Sequence, residues 1–146
     1  MKPPPALLVV LALLGCPKAT VDSPEGAFRL WADAMRRTDV KTAFSLVSTK
    51  SQAALSAQSK ALADASKGSL KDEPATLLVS PRRAAPVVGV TVATNDGARA
   101  ELAVTTCREA LDERGACPTG ADVQERVTMV KEAQRWAVEL PELVKP

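Results

Sequence analysis

The sequence predicts an α+β domain, on three observations. Amphipathic segments with helical spacing run from residue 23 to residue 68. From residue 76 the spacing changes to the alternation of strands. The tight-turn sequence Asn95-Asp96-Gly97 stands between two of the alternating runs. Helices first and strands afterwards is an α+β order rather than a βαβ repeat. A chain of 146 residues allows one such domain once a leader is set aside.

The first helix starts at Ser23-Pro24-Glu25. Serine caps an N-terminus, proline suits the first helical position, and glutamate complements the positive end of the helix dipole. Phe28, Trp31, Ala32 and Met35 then fall at i, i+3, i+4, i+7, one apolar stripe, and Arg36-Arg37 suit the negative end. Asp39 caps a second helix, with Val40, Ala43, Phe44 and Val47 repeating the spacing. Ser48-Thr49 caps a third, whose apolar face is thin, with Leu55 and Leu62 seven apart and Gly68 as its C′ residue. This helix is expected to be the most exposed of the three.

Strand signals follow. Leu77-Leu78-Val79 reads as a short strand stopped by Pro81. Val88, Val90 and Val92 alternate with small residues up to Asn95-Asp96-Gly97, a hairpin cue, and Ala100, Leu102 and Val104 alternate on the return. Residues 108–121 hold Gly115, Pro118 and Gly120 and form a connection, with a helical turn expected over 109–112. Val123, Val127 and Met129 share one face of the next strand, opposite Gln124, Arg126 and Thr128. Trp136, Val138 and Leu140 share one face of the last, opposite Arg135, Ala137 and Glu139, with a short turn near Ala133 between the two.

Charge and composition exclude several functions. With 19 Lys+Arg against 17 Asp+Glu, the net charge of +2 lacks the basic concentration that nucleic acid asks for. There is no histidine, which removes Ser–His–Asp triads, Cys–His pairs and His-ligated metals. No Gly-rich phosphate loop or clustered carboxylate set is visible, so no cofactor and no metal is expected.

Residues 1–15 read as a signal segment. Met1 and Lys2 give a positive start, and the apolar run over 6–14 would rise roughly 15 Å as a helix, half of a bilayer core. Leu13-Leu14-Gly15-Cys16 resembles the lipobox of bacterial lipoproteins. That resemblance implies diacylglyceryl transfer to the Cys16 sulfur, cleavage before Cys16 and acylation of the new amino group. The implied location is the cell envelope, the protein anchored to membrane lipid. Pro17, where an aspartate would signal retention, leans toward the outer membrane, facing the periplasm. Each buried methylene contributes ~0.8 kcal/mol, so two or three acyl chains would anchor the chain permanently.

With Cys16 acylated, Cys107 and Cys117 remain, in an oxidising compartment. An even pair there reads as a disulfide. Two ligands without histidine are too few for zinc, and a nucleophilic cysteine would have no histidine base. A closed loop of about eleven residues is worth roughly 2.5–3 kcal/mol in the chain-entropy model. The bond would pinch the connection between two antiparallel neighbours.

The stretch Ser23-Pro24-Glu25-Gly26-Ala27-Phe28-Arg29-Leu30-Trp31-Ala32-Asp33-Ala34-Met35, then Thr38-Asp39-Val40-Lys41-Thr42-Ala43-Phe44-Ser45-Leu46-Val47-Ser48, resembles the opening of bacterial domains of the nuclear-transport-factor-2-like superfamily. Arg135-Trp136-Ala137-Val138-Glu139-Leu140 resembles their last strand. The family usually carries a second acidic residue after Glu25, where this chain has Gly26, and the Cys-bounded connection is a departure from it. The resemblance implies three N-terminal helices packed on a curved antiparallel sheet, a cone with a pocket at its open end. Relatives divide between enzymes of the ketosteroid isomerase and dehydratase kind and non-catalytic binding or dimerisation modules.

The expected layout is a signal segment over 1–15, a tether over 16–22, one domain over 23–141 and a tail over 142–146. Tyrosine and histidine are absent, so a tyrosine-based oxyanion hole is excluded. Asp33 falls off the apolar stripe, Asp39 is a cap, and Glu101 and Glu139 fall opposite the apolar strand residues, at the solvent or the pocket rim. Arg36-Arg37 and Arg82-Arg83 read as solvated pairs, the sharper alternative being contact with anionic lipid head groups. No catalytic residue is assigned. Trp31 and Trp136 stand at apolar-face positions, where core packing is the default and a ligand platform the sharper alternative; with Met35 they are the candidate pocket lining. The expected function is a membrane-anchored envelope lipoprotein with a non-catalytic domain for a small apolar ligand or an envelope protein, with a homodimer as a further possibility. The alternative is a small carboxylate-dependent isomerase or hydrolase. Labelled palmitate should enter the wild-type chain and not Cys16→Ala; equal labelling of both would remove the anchor.

Overall fold

The computed structural model describes residues 19–141. The signal segment 1–15, Cys16, the first part of the tether and the tail 142–146 lie outside the described residues. Three helices, α1 (Pro24–Arg36), α2 (Val40–Ser45) and α3 (Thr49–Ala65), precede a 3-10 helix over Pro74–Leu78 and four strands, β1 (Val87–Asn95), β2 (Arg99–Cys107), β3 (Asp122–Glu132) and β4 (Arg135–Glu139). The strands form one antiparallel sheet in the order β1-β2-β3-β4, so the protein is α+β.

Each helix begins on the residue whose side chain stops its first N–H groups from being orphaned. Ser23 Oγ accepts from the Gly26 N–H at 3.1 Å, Asp39 Oδ1 from the Thr42 N–H at 3.2 Å, and Ser48 Oγ from the Ser51 N–H at 3.2 Å. Such caps are each worth about 1 kcal/mol. The bonds from Thr42 hold the Asp39 carboxyl below the ordinary aspartate range. Glu132, at the far end of β3, takes the Thr49 N–H at 2.9 Å and the Thr49 hydroxyl at 3.0 Å, placing a carboxylate at the positive end of α3. In the β1–β2 turn, the Arg99 and Ala98 N–H groups donate to Asp96 Oδ1 and lower its pKa.

The core lies between α1 and the sheet. Ala27, Phe28, Trp31, Ala34 and Met35 are buried against Ala100, Leu102, Val104, Met129 and Val138, and α1 touches all four strands. The register puts Ala100 opposite Met129 and Met129 opposite Val138, so these three share the core face of the sheet. The alternation expected for β2 and β3 is therefore the alternation found. On α3 only Ser51, Leu55 and Ser59 are buried, and Leu62 is 42% exposed, which makes the third helix the peripheral one.

The free edge of β4 is closed by the helical half of the chain. The Trp136 N–H donates to the Val21 carbonyl at 2.9 Å, the Val138 N–H to Leu46 at 3.0 Å, and the Ser48 N–H to the Val138 carbonyl at 2.8 Å. The Leu140 N–H donates to Ser51 Oγ at 2.9 Å, and Ser51 Oγ also accepts from the Ser48 hydroxyl at 3.1 Å. Gln52 fixes the same corner by donating to the Phe44 and Val47 carbonyls at 3.0 and 2.9 Å.

Several expectations change. Residues 77–79 are not a strand: Pro74 starts a 3-10 helix whose Leu78 is fully buried against α2 and α3, while Val79 is 58% exposed. Proline at the first position and no neighbouring strand favour the helical turn. Val47 is not on the second helix, which ends at Ser45; it forms an isolated parallel bridge to Val138. Gly68 is one residue beyond the expected cap position. Lys67 (φ 51°) takes the left-handed C′ place, and the Gly68 N–H closes onto the Ala63 carbonyl at 3.1 Å. Residues 109–112 form no helical turn; Asp112 Oδ1 instead accepts from the Arg114 and Ala116 N–H groups at 2.9 and 2.8 Å. Ala137 and Glu139, expected to face away from the core, are buried as well, Glu139 with the Arg99 guanidinium on it at 2.7 Å.

Gly26 has a specific reason to lack a side chain. A Cβ there would lie 2.3 Å from the Thr20 carbonyl oxygen, where the incoming chain crosses α1. An alanine inside a helix ordinarily gains about 1 kcal/mol over glycine. Gly26→Ala should do the opposite and lower the urea midpoint, since backbone must move; a rise in stability would show that Thr20 does not hold this crossing.

Candidate functional site

A cavity of about 470 Å3 opens where β4 ends while β3 continues. β4 pairs with β3 only from Thr128 to Glu132, so Val127 and the residues before it have no strand on that side. Phe28, Trp31 and Ala32 of α1 form one wall, Val104, Val127 and Val138 of the sheet form another, and Leu140 and Pro141 border it where the chain leaves β4. The size falls within the roughly 300–1,000 Å3 of small-molecule sites. Phe28 and Trp31 sit one turn apart with ring centroids 5.8 Å from each other, a contact that fixes the aromatic wall.

Residues 80–86 form a strap across the opening. Arg82 Nε donates to Glu125 Oε1 at 2.7 Å, and Arg83 Nη1 donates to the Leu77 and Leu78 carbonyls at 3.3 and 3.4 Å. Glu125 lies opposite Val104, on the inward face with Val127 and Met129, and its side chain is 22% exposed against 78% for Arg82. A carboxylate among apolar neighbours keeps its charge at least cost beside a guanidinium. On the far side of the strap a second hollow borders Cys107 and shares Arg82, Ala85, Thr106 and Glu125 with the first. Glu139 also borders the cavity, its side chain 9% exposed and accepting from Arg99 Nη2 at 2.7 Å.

The expected site residues separate. Trp31 is in the cavity wall; Met35 and Trp136 are buried in the core, and neither borders the cavity. Cys107 and Cys117 are joined by a disulfide. Together with the Arg108 N–H bond to the Ala121 carbonyl at 2.9 Å, it pins the base of the β2–β3 connection. Asp33 faces solvent and pairs with Arg36 and Arg37. Glu101 is exposed on the outer face. Among the described residues no group of three His, Cys, Asp or Glu side chains gathers to hold a metal ion, and no helix is long and apolar enough to cross a membrane.

Glu125 is the residue that pattern reading passed over. Its signal was present: in Val123-x-Glu125-x-Val127-x-Met129 one inward position is acidic. Its partner, Arg82, reads as a solvated charge until the strap is folded back.

Compared with known proteins, the chain matches no family model, no curated protein and no solved structure.

Because Glu139 is nearly buried, its carboxylate depends on Arg99. Arg99→Ala should destabilise the protein by about 1–3 kcal/mol, the cost of a buried group left without its partner. Arg99→Ala with Glu139→Gln should recover part of that loss in thermal unfolding. No recovery would mean that the guanidinium acts by packing alone.

Proposed function

We propose that this chain is a lipid-anchored protein of the bacterial cell envelope whose domain binds a small apolar molecule and performs no chemistry on it. The anchor is the acylated Cys16, and the location is the outer membrane, facing the periplasm. In this reading the finer architecture is the nuclear-transport-factor-2-like cone, with the sheet wrapped on α1 and the pocket at its open end. Its supports are the lipobox-like Leu13-Leu14-Gly15-Cys16, the cysteine pair suited to an oxidising compartment, and the order of elements.

The observation that carries the binding role is the cavity. Phe28, Trp31, Val104, Val127, Val138 and Leu140 give it an aliphatic and aromatic floor, charged and polar residues of the strap and of β3 border the rest, and its size suits one small molecule. The two carboxylates that border it, Glu125 and Glu139, are each engaged by an arginine at 2.7 Å. Carboxylates held this way serve the rim as fixed charges, whereas an acid–base catalyst needs a group aimed at the substrate and able to exchange its proton. This favours binding over a carboxylate-dependent isomerase or hydrolase.

The test uses 1-N-phenylnaphthylamine, a neutral apolar probe whose emission rises out of water. The full chain should bind it saturably, one per protein, with quenching of tryptophan emission. Ala32→Trp, which grows into the cavity from the helix wall, should abolish the binding while keeping the melting temperature within a few degrees. Non-saturable uptake, or unchanged binding by a folded Ala32→Trp protein, would remove the cavity as the site.

A further inference from the structure

β3 has an open flank beside the cavity. The Lys131 N–H donates to the Ala98 carbonyl, on the β2 side, at 2.8 Å, and β3 pairs with β2 without a register shift. Main-chain direction alternates along a strand. The N–H and C=O groups of Thr128, Val130 and Glu132 therefore turn to β4, and those of Gln124 and Arg126 turn the same way. There β4 has ended. The register that sets Thr128 opposite Glu139 would set Pro141 opposite Arg126, and proline brings no N–H to a ladder. Among the described residues nothing else takes these groups. The main-chain bonds of the strap run from Ala84 to Ser80, from Ala85 to Arg82 and from Cys107 to Pro86, none of them to β3.

The cavity wraps this flank: Glu125 and Val127 border it from the inner face of β3, Arg126 and Thr128 from the outer. Both of its carboxylates are taken, Glu125 by Arg82 and Glu139 by Arg99. Arg126 is exposed, and among the described residues no carboxylate lies within ion-pair distance of it.

We propose that the flank receives an extended peptide of a partner protein by strand addition, acidic at the residue opposite Arg126 and apolar at the next. The inference rests on the reading of the cavity as the seat of an apolar group, and gives that group a carrier. Arg126 and Gln124 each present an N–H and a C=O together, a pattern that a peptide main chain complements and a hydrocarbon cannot use. Side chains directly opposite share a face, so an acid opposite Arg126 meets its guanidinium on the outer side. The residue after it lies opposite Glu125 and turns inward, over the floor of Val104 and Val127. Such a peptide runs antiparallel to β3 and prolongs the line of β4.

The test places the full chain, labelled with ¹⁵N and ¹³C, in lipid nanodiscs and adds acetyl-Glu-Leu-Thr-Leu-Thr-amide. Its glutamate and threonines stand opposite Arg126, Gln124 and Asp122 with their N–H groups toward β3, and its leucine N–H groups point away. The peptide should bind saturably, move the Arg126 and Gln124 amide protons downfield and move the Val104 and Val127 methyl signals. A methyl on the central threonine nitrogen should weaken binding about fivefold, one hydrogen bond of about 1 kcal/mol, and a methyl on the nitrogen of the leucine before it by about twofold or less. Arg126→Glu should weaken the parent peptide and favour one with lysine for glutamate, by about two- to fivefold each way. Equal effects of the two methyl groups, amide shifts confined to β1, or amide shifts without valine shifts would overturn the inference. Shifts of the same amides with protein concentration alone, with doubled mass in light scattering, would give the flank to a second copy and overturn it too. A peptide that moves nothing, beside saturable naphthylamine binding that Ala32→Trp abolishes, removes the inference and leaves the cavity reading; failure of both probes removes both. Should Arg126→Glu fail to fold, the methylated peptides decide on the wild-type chain.

Discussion

The rest of the structure depends on how the last strand is held. β4 is five residues long, too short to stand as an open edge, and its outward backbone groups at 136, 138 and 140 are taken by Val21, Leu46, Ser48 and Ser51. Those partners come from the approach to α1 and from the corner between α2 and α3. Four bonds therefore join the two halves of the chain through main-chain groups that would otherwise be orphaned in a buried place. The join sets α1 across the sheet, and α1 in that position turns the apolar stripe of Phe28, Trp31 and Met35 into a core. It also sets where the sheet stops, and the cavity lies at that stopping point.

Most of what was legible in the sequence was local. Ser23, Asp39 and Ser48 are caps because a short polar side chain before a helix can accept from the N–H two or three residues ahead of it, and no distant neighbour is needed. The alternation of Ala100, Leu102 and Val104 with exposed residues, and the Asn95-Asp96-Gly97 turn, are local for the same reason. What escaped is non-local. Val47 continues the helical spacing, but the Val138 backbone captures it for a bridge. Leu77-Leu78-Val79 has strand-like composition, yet no strand lies beside it, and Leu78 finds its burial under α2 and α3. Glu139 reads as an outward residue until the fold lays the Arg99 guanidinium on it. Of the candidate pocket, Trp31 was accessible to pattern reading; Met35 and Trp136 share its apolar spacing but lie deeper in the core. Spacing identifies a face, not a depth.

The cavity and the fold are one construction. β3 runs eleven residues and β4 five, so a stretch of the inner sheet face is left without its outer neighbour. The chain between the 3-10 helix and β1 then crosses that stretch, latched by Arg82 to the one inward acid of β3. The disulfide lies just beyond, at the end of β2, and steadies the base of the connection that Glu125 follows. Hydrophobic walls, an open flank of β3 and a charged latch come from four separate segments, which explains why no contiguous motif announces them.

The two margins of the sheet are unlike. One is closed by the chain's own helical corner; the other, β1, carries no charged side chain from Val87 to Asn95 and has no strand beside it among the described residues. A strand added there would meet no charged side chain, whereas at the opposite margin the five residues of β4 already have their outward groups engaged by the helical corner.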